Sequence, residues 1–191
     1  MTKISIIFFS GYGHTEKQAH AVLGGVNEIE HTSVTIIAID QEGNIKDDEW
    51  EDLNASDAII FGSPTYMGGP AWQFKKFADA SSKTWMEQLW KDKVVAGFTN
   101  SASINGDKSG TINYFFTLAM QHGMIWIGTG LLPSNKKDSK RDDINWLAGS
   151  AGALAQSPSD ASVDESPTIG DLATARIFGN RIATYTKKIQ K

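Results

Sequence analysis

Apolar and polar positions alternate in blocks along this chain, and the blocks predict the fold. Ile4-Ser5-Ile6-Ile7-Phe8-Phe9 is a β-branched and aromatic run, as in a strand buried on both faces. Ala19, Val22, Leu23 and Val26 then fall at helical spacing. A second strand is predicted over about Ser33 to Ile39, and a short helix over Asp47 to Asn54 with Trp50 and Leu53 inward. A third strand is Ala58 to Gly62, followed by a helix from about Ala71 to Ala80 with Phe74, Phe77 and Ala78 on one face. Pro70 suits the start of that helix. A fourth strand runs Val94 to Phe98. Thr111 to Gln121 reads as a helix striped by Ile112, Phe115, Phe116, Ala119 and Met120. A fifth strand is Met124 to Ile127, with Trp126 in the core, and a last helix begins near Gly170. Five strands alternating with helices predict an α/β fold, a parallel sheet covered on both faces.

Ligands of such sheets sit at the carboxyl ends of the strands, which points to three loops. The first is Ser10-Gly11-Tyr12-Gly13-His14-Thr15, between a strand and a helix. Free N–H groups at a helix start bind anions, and Ser10 and Thr15 add hydroxyls. The third glycine of a dinucleotide fingerprint is missing, and so is the lysine of a P-loop. A turn without a cation suits one terminal phosphate, as in a mononucleotide such as FMN. The alternative is a helix start capped by its own hydroxyls, with no ligand. The second loop is Ser63-Pro64-Thr65-Tyr66-Met67-Gly68-Gly69-Pro70, stiffened by Pro64, with Tyr66 able to stack. The third is Thr99 to Asp107, including Asn100, Ser101, Ala102 and Ser103, small and rich in hydroxyl and amide groups.

Composition narrows the classes. The 191 residues predict one domain, 1–191, with a net charge of −4. That charge argues against nucleic acid as a partner. No run is long enough to span a membrane, and the first strand follows Met1 too closely for a signal peptide. The chain has no cysteine, so thiol chemistry and thiolate metal sites are excluded. The four histidines show no metal-ligand spacing, and no metal is expected. A cytoplasmic location is the default. Asp40 reads as a turn residue, and the mixed run Lys136 to Asp143 as a solvated loop. Pro133 to Asp171 is long for a connection. Its Ile144, Trp146 and Leu147 suggest a functional loop or one buried against another subunit.

These residues carry a family resemblance over nearly the whole chain. Ser10 to Thr15, Gly62 to Gly68, Asp79 to Trp85, Phe98 to Ser101 and Gln121-His122-Gly123-Met124-Ile125 resemble flavodoxin-like proteins. Within them the chain is similar to the WrbA-type FMN-dependent NAD(P)H:quinone oxidoreductases. The resemblance implies a doubly wound five-stranded sheet of order 2-1-3-4-5. It implies FMN phosphate on the first turn, the isoalloxazine against Ser63–Gly68 and Thr99–Asp107, and His122 near the pyrimidine edge. Trp85 would enter a substrate pocket across a subunit interface, in a homotetramer or homodimer, and Tyr12 would contact substrate. NADH or NADPH would be the donor, a quinone-like small molecule the acceptor, and the kinetics ping-pong. His122 or Tyr12 could donate a proton or hydrogen bond. Read from its residues alone, His122 is as well explained by a helix end capped by Gly123. The chain departs from the family at Tyr66-Met67-Gly68-Gly69, at the glycine-poor Ser101 to Asp107, and at Gly149 to Ala153. Three alternatives compete: a reductase acting on another acceptor, an electron-carrier flavodoxin serving protein partners, and a dinucleotide-binding protein with no flavin.

Overall fold

The structure, a computed structural model, describes residues 1–190. The elements are β1 (Thr2–Phe8), α1 (His14–Val26), β2 (Thr32–Ala38), α2 (Asp47–Ala55), β3 (Ala58–Tyr66) and β4 (Gly69–Pro70). Then follow α3 (Trp72–Ala80), α4 (Ser82–Met86), β5 (Val94–Ser101), α5 (Lys108–Gln121), β6 (Ile125–Trp126), β7 (Ala153–Gln156) and α6 (Ile169–Ile189). The sheet order is β2-β1-β3-β5-β6, and these pairs are parallel. This is the flavodoxin-like order, with β5 in the fourth place.

The fifth place is where the sequence reading falls short. β6 is only two residues long and pairs with the start of β5 at Val94 and Val95. The end of β5, Phe98 to Ser101, pairs instead with β7. One strand position is thus filled twice, by pieces separated by residues 127–152. Asn145 organises that insertion. Its backbone is left-handed (φ 54), its Oδ1 accepts from the Gly149 amide, and its Nδ2 donates to the carbonyls of Leu131 and Leu132. Trp126 is half-buried rather than core, with Nε1 donating to the Ala151 carbonyl. Trp146 and Leu147 are also half-buried, and Trp146 lies under the Arg141 guanidinium at 5.1 Å. The apolar stretch of the long loop is therefore largely covered by its own chain. The exposed large apolar side chains include Trp85 and Met86 on α4 and Phe116 and Met120 on α5.

Alternation along the strands sends side chains to two cores. Ile4, Ile6, Phe8, Ile60 and Phe98 face α1 and α6. Gly25 and Gly179 let these two helices touch: a Cβ at Gly25 would lie 1.8 Å from the Arg176 carbonyl, and one at Gly179 2.1 Å from that of Val22. On the other face Ile7, Ile59, Phe61 and Val95 meet Leu53 of α2, Phe74 and Phe77 of α3, and Phe115 of α5. The aromatic rings there pack closely, Phe74 and Phe115 at 4.7 Å between centroids. Such pairs add about 0.5–1.5 kcal/mol each beyond area burial. Asp40 is a turn residue, its Oδ1 accepting from the amides of Glu42 and Asn44.

Candidate functional site

At the carboxyl ends of β1, β3 and β5 lies a cavity of about 580 Å³. Gly11, Tyr12, His14 and Thr15 line it from the first turn, Pro64, Thr65 and Tyr66 from the second, and Asn100, Ser101 and Ala102 from the third. The three loops singled out in the sequence do converge.

The first turn is built as an anion cradle. Gly13 is left-handed (φ 86) and starts α1. Ser10 lies just outside the cavity lining, and its Oγ accepts from the amides of Gly13 and Glu16, both at 3.1 Å. Its own proton is thereby left to donate. Among the described residues the amides of Tyr12, His14 and Thr15 have no protein acceptor. The hydroxyl cap and the free donors thus coexist.

The ends of β3 and β5 are cross-tied by hydroxyls. Thr99 Oγ1 donates to the Ser63 carbonyl at 2.7 Å. With that proton committed, Thr99 must accept from Thr65 at 2.8 Å, and Thr65 from Thr111 at 2.7 Å. Ser63 Oγ donates to the Pro64 carbonyl and accepts from the Ala71 amide. Ser63 and Thr99 are fully buried. They lie behind the cavity wall and are not among its lining residues. Met67 and Gly68 are likewise not among the lining residues. Both are left-handed (φ 49 and 81) at the tip of the β3–β4 hairpin, the geometry of a type I′ turn. Met67 is fully exposed. Ser103 lies beyond the wall, its carbonyl turned to Lys108.

Tyr12 is 78% exposed, edge-on to Tyr66 with centroids 6.5 Å apart. Burial, and then the neighbouring Tyr12, push the Tyr66 phenol above its usual pKa.

A fourth segment, which the sequence reading treated only as part of the long loop, closes the cavity. Ser157, Pro158, Ser159, Ala161, Ser162 and Val163 form another wall. Five hydrogen bonds hold this strap. Ser157 donates its amide to the Ser101 carbonyl and its hydroxyl to Asn100 Oδ1. His14 Nδ1 bonds the Ser166 carbonyl at 3.0 Å. Lys17 Nζ donates to the carbonyls of Val163 and Asp164. The Ser/Asp/Pro-rich composition of 157–166 announced a loop, but nothing in it announced where the loop would lie.

His122 and Trp85 are elsewhere. A crossover helix runs antiparallel to its strands, so α5 starts at the cavity end and finishes at the other. His122 follows its last residue, is 5% exposed, and packs on Trp90 at 4.4 Å between centroids. Ser81 Oγ donates to the Ala78 carbonyl, so it accepts from His122 Nε2 at 2.9 Å. Nδ1 is buried without a partner. Desolvation lowers the pKa to about 4, so the ring is neutral. His122 therefore neither touches the cavity of its own chain nor donates a proton into it. Trp85, 48% exposed on α4, lies toward the same far end.

Residues 46–138 match the family model described as NADPH-dependent FMN reductase. Over 189 residues the chain is 49% identical to a protein named flavodoxin FldP of Pseudomonas aeruginosa, covering 99% of both chains. It is 27% identical to a protein named NAD(P)H dehydrogenase (quinone) of Syntrophus aciditrophicus, covering 98% of both. The solved structure of a flavodoxin, WrbA-like protein from Agrobacterium tumefaciens superimposes with a TM-score of 0.79 at 44% identity, over 98% of this chain and 99% of that one. With sheet order, loop convergence and full-length relatives in agreement, the chain belongs to the flavodoxin-like proteins of the WrbA type.

Proposed function

We propose that this protein is an FMN-dependent oxidoreductase that carries two electrons from NADH or NADPH to a quinone or a similarly flat acceptor. The observation that supports this most is the convergence of an uncharged, donor-rich helix start with two further loops on one cavity. The residues fit FMN. Ser10, Thr15 and the free amides of the first turn would hold the phosphate, with no lysine to bridge a longer polyphosphate. Pro64 to Tyr66 and Asn100 to Ala102 would line the ring. When bound, FMN supplies the hydride chemistry.

The chain's own contribution is binding, orientation and exclusion of water. The strap at 157–163 closes one side. Tyr12, largely exposed on the cavity wall, would meet the donor or the acceptor. One cavity has room for the cofactor and a single flat partner, so donor and acceptor take turns. Trp85 can reach such a site only from a neighbouring copy. A homotetramer or homodimer joined through the exposed apolar residues of α4 and α5 would bring it there.

A second reading has a specific observation behind it. The 49% identical relative is named a flavodoxin, which favours an electron carrier for protein partners. Purified, FMN-loaded protein mixed anaerobically with NADH or NADPH separates the two. Bleaching of the flavin without a second protein, and then parallel double-reciprocal lines against a quinone panel, are expected of the enzyme. A flavin that stays oxidised identifies the carrier. Trp85→Ala should raise the apparent KM for nicotinamide and quinone alike, because they share the pocket. A change confined to the quinone would break the one-site scheme.

A further inference from the structure

Lys108, the first residue of α5, is 1% exposed. A lysine is rarely buried unless its charge is met. Here its Nζ donates to three consecutive carbonyls of the loop before it: Ser103 at 2.7 Å, Ile104 at 2.9 Å and Asn105 at 3.4 Å. The two preceding carbonyls are also taken, Ser101 by the Ser157 amide and Ala102 by Gln156 Nε2. Every carbonyl from 101 to 105 therefore has a donor inside the protein. The amides do the opposite. Among the described residues, those of Ala102, Ser103, Ile104 and Asn105 have no protein acceptor. The loop has been sorted into oxygens turned in and N–H groups left over; of these residues Ala102 stands on the cavity wall, while Ile104 and Asn105 border a second pocket beside Lys108.

We propose that Lys108 is the positioning residue for the cavity edge of this loop: its ammonium gathers the loop carbonyls inward, so that at the wall the Ala102 N–H remains for an acceptor-rich heterocycle. This rests on the reading that FMN occupies the cavity. A neutral side chain at 108 would take the ammonium from three carbonyls and leave that of Ile104 without a donor, while Ser103 keeps the Ser101 hydroxyl and Asn105 the backbone amide of residue 108; the loosened loop could then turn oxygens toward the ring. The positive charge itself also favours an anionic ligand nearby. The other charges around the ammonium are Asp171 of α6 and Arg141 of the insertion, paired with each other through two hydrogen bonds. Burial lowers the Lys108 pKa to about 8, with Asp171 opposing and Arg141 reinforcing the shift. Charge, and with it the loop arrangement, is present below that pH and lost above it.

The test is FMN titration of apoprotein, by flavin fluorescence, for the wild type, Lys108→Met and Lys108→Arg between pH 6.5 and 9.5. Loss of hydrogen bonds from a charged donor predicts FMN binding roughly ten-fold weaker or more in Lys108→Met. Wild-type affinity should fall as pH rises through about 8. Lys108→Arg should restore binding and abolish the alkaline fall, because arginine stays charged. Amide NMR shifts of Ala102 to Asn105 should move in Lys108→Met and return in Lys108→Arg. Unchanged affinity in Lys108→Met, or a wild-type affinity flat to pH 9.5, overturns the proposal. If Lys108→Met does not fold, the pH profile of the wild type against Lys108→Arg still decides. Wild-type protein that takes no FMN at any pH refutes the functional reading instead, and the NMR comparison then judges Lys108 alone.

Discussion

At the cavity end of the sheet, the amides of Tyr12, His14 and Thr15 have no protein acceptor, and Tyr12 stands largely in solvent. At the opposite end, polar groups close on one another. Trp90 Nε1 donates to Asn54 Oδ1, Lys93 Nζ takes the carbonyls of Asn54 and Ser56, and Ser81 holds His122 against the Trp90 ring. One end leaves its polar groups open to a ligand, and the other satisfies them within the chain. Family resemblance had drawn His122 into the receiving end. The course of α5 puts it in the closed one. A motif transfers a residue's identity, while the direction of a helix decides which end of the sheet that residue serves.

The strongest test of this contrast is pH. Unfolded, His122 takes up a proton near pH 6.5. Folded, it resists until about pH 4. Between these values the unfolded chain binds the extra proton, so stability is complete above about 6.5 and declines as pH falls toward 4. At about 1.4 kcal/mol per unit the loss approaches roughly 3 kcal/mol. Urea unfolding at pH 7 and pH 4.5 should show this slope, and His122→Gln should remove most of it. FMN affinity of the variant at pH 7 should match the wild type in the monomer. A selective loss of affinity in the oligomer alone would mean that a neighbour's His122 reaches the site.

The converse variant is at the open end. Thr15 is almost fully buried, lines the cavity, and its hydroxyl has no hydrogen-bond partner among the described residues. Thr15→Val keeps its shape and removes the hydroxyl. FMN binding should weaken by about 2 kcal/mol, the scale of a hydrogen bond to a charged group. Apoprotein melting should change little. Calorimetric titration with FMN gives the first quantity and a thermal scan the second. A large loss of apoprotein stability would make Thr15 a core residue instead.

The two ends were not equally legible. The buried strands and the stripes of α3 and α5 follow from hydrophobic period, and loop convergence follows from parallel topology. Those arguments singled out the loops Ser10–Thr15, Ser63–Pro70 and Thr99–Asp107, and parts of all three, among them Gly11, Pro64 to Tyr66 and Asn100 to Ala102, line the cavity. What escaped them depends on long-range contact. The strap at 157–163 has turn composition but is held by His14 and Lys17, about 150 positions away in the chain. The divided fifth strand escaped because Ala153 to Gln156 carries little apolar signal and depends on pairing with β5. Lys108 escaped because a lysine at a helix start gives no sign that it is buried. Ser63 and Thr99 were recognised as important, but their hydroxyls are satisfied within the wall.

The smallest effect concerns the hairpin at the edge of the open end. Met67 holds φ 49 and Gly68 φ 81 between Tyr66 and Gly69. Non-glycine residues disfavour that conformation, and asparagine followed by glycine is the preferred pair for such a turn. The Met67 side chain is fully exposed and has no packing to lose. Met67→Asn should therefore raise stability by about 0.5–1 kcal/mol. The denaturation midpoint should rise at unchanged m-value. FMN affinity should not change, since Met67 lies outside the cavity wall. Weakened FMN binding with intact stability would return Met67 to the ring, as the resemblance implied, and would show that this hairpin rearranges when the cavity fills.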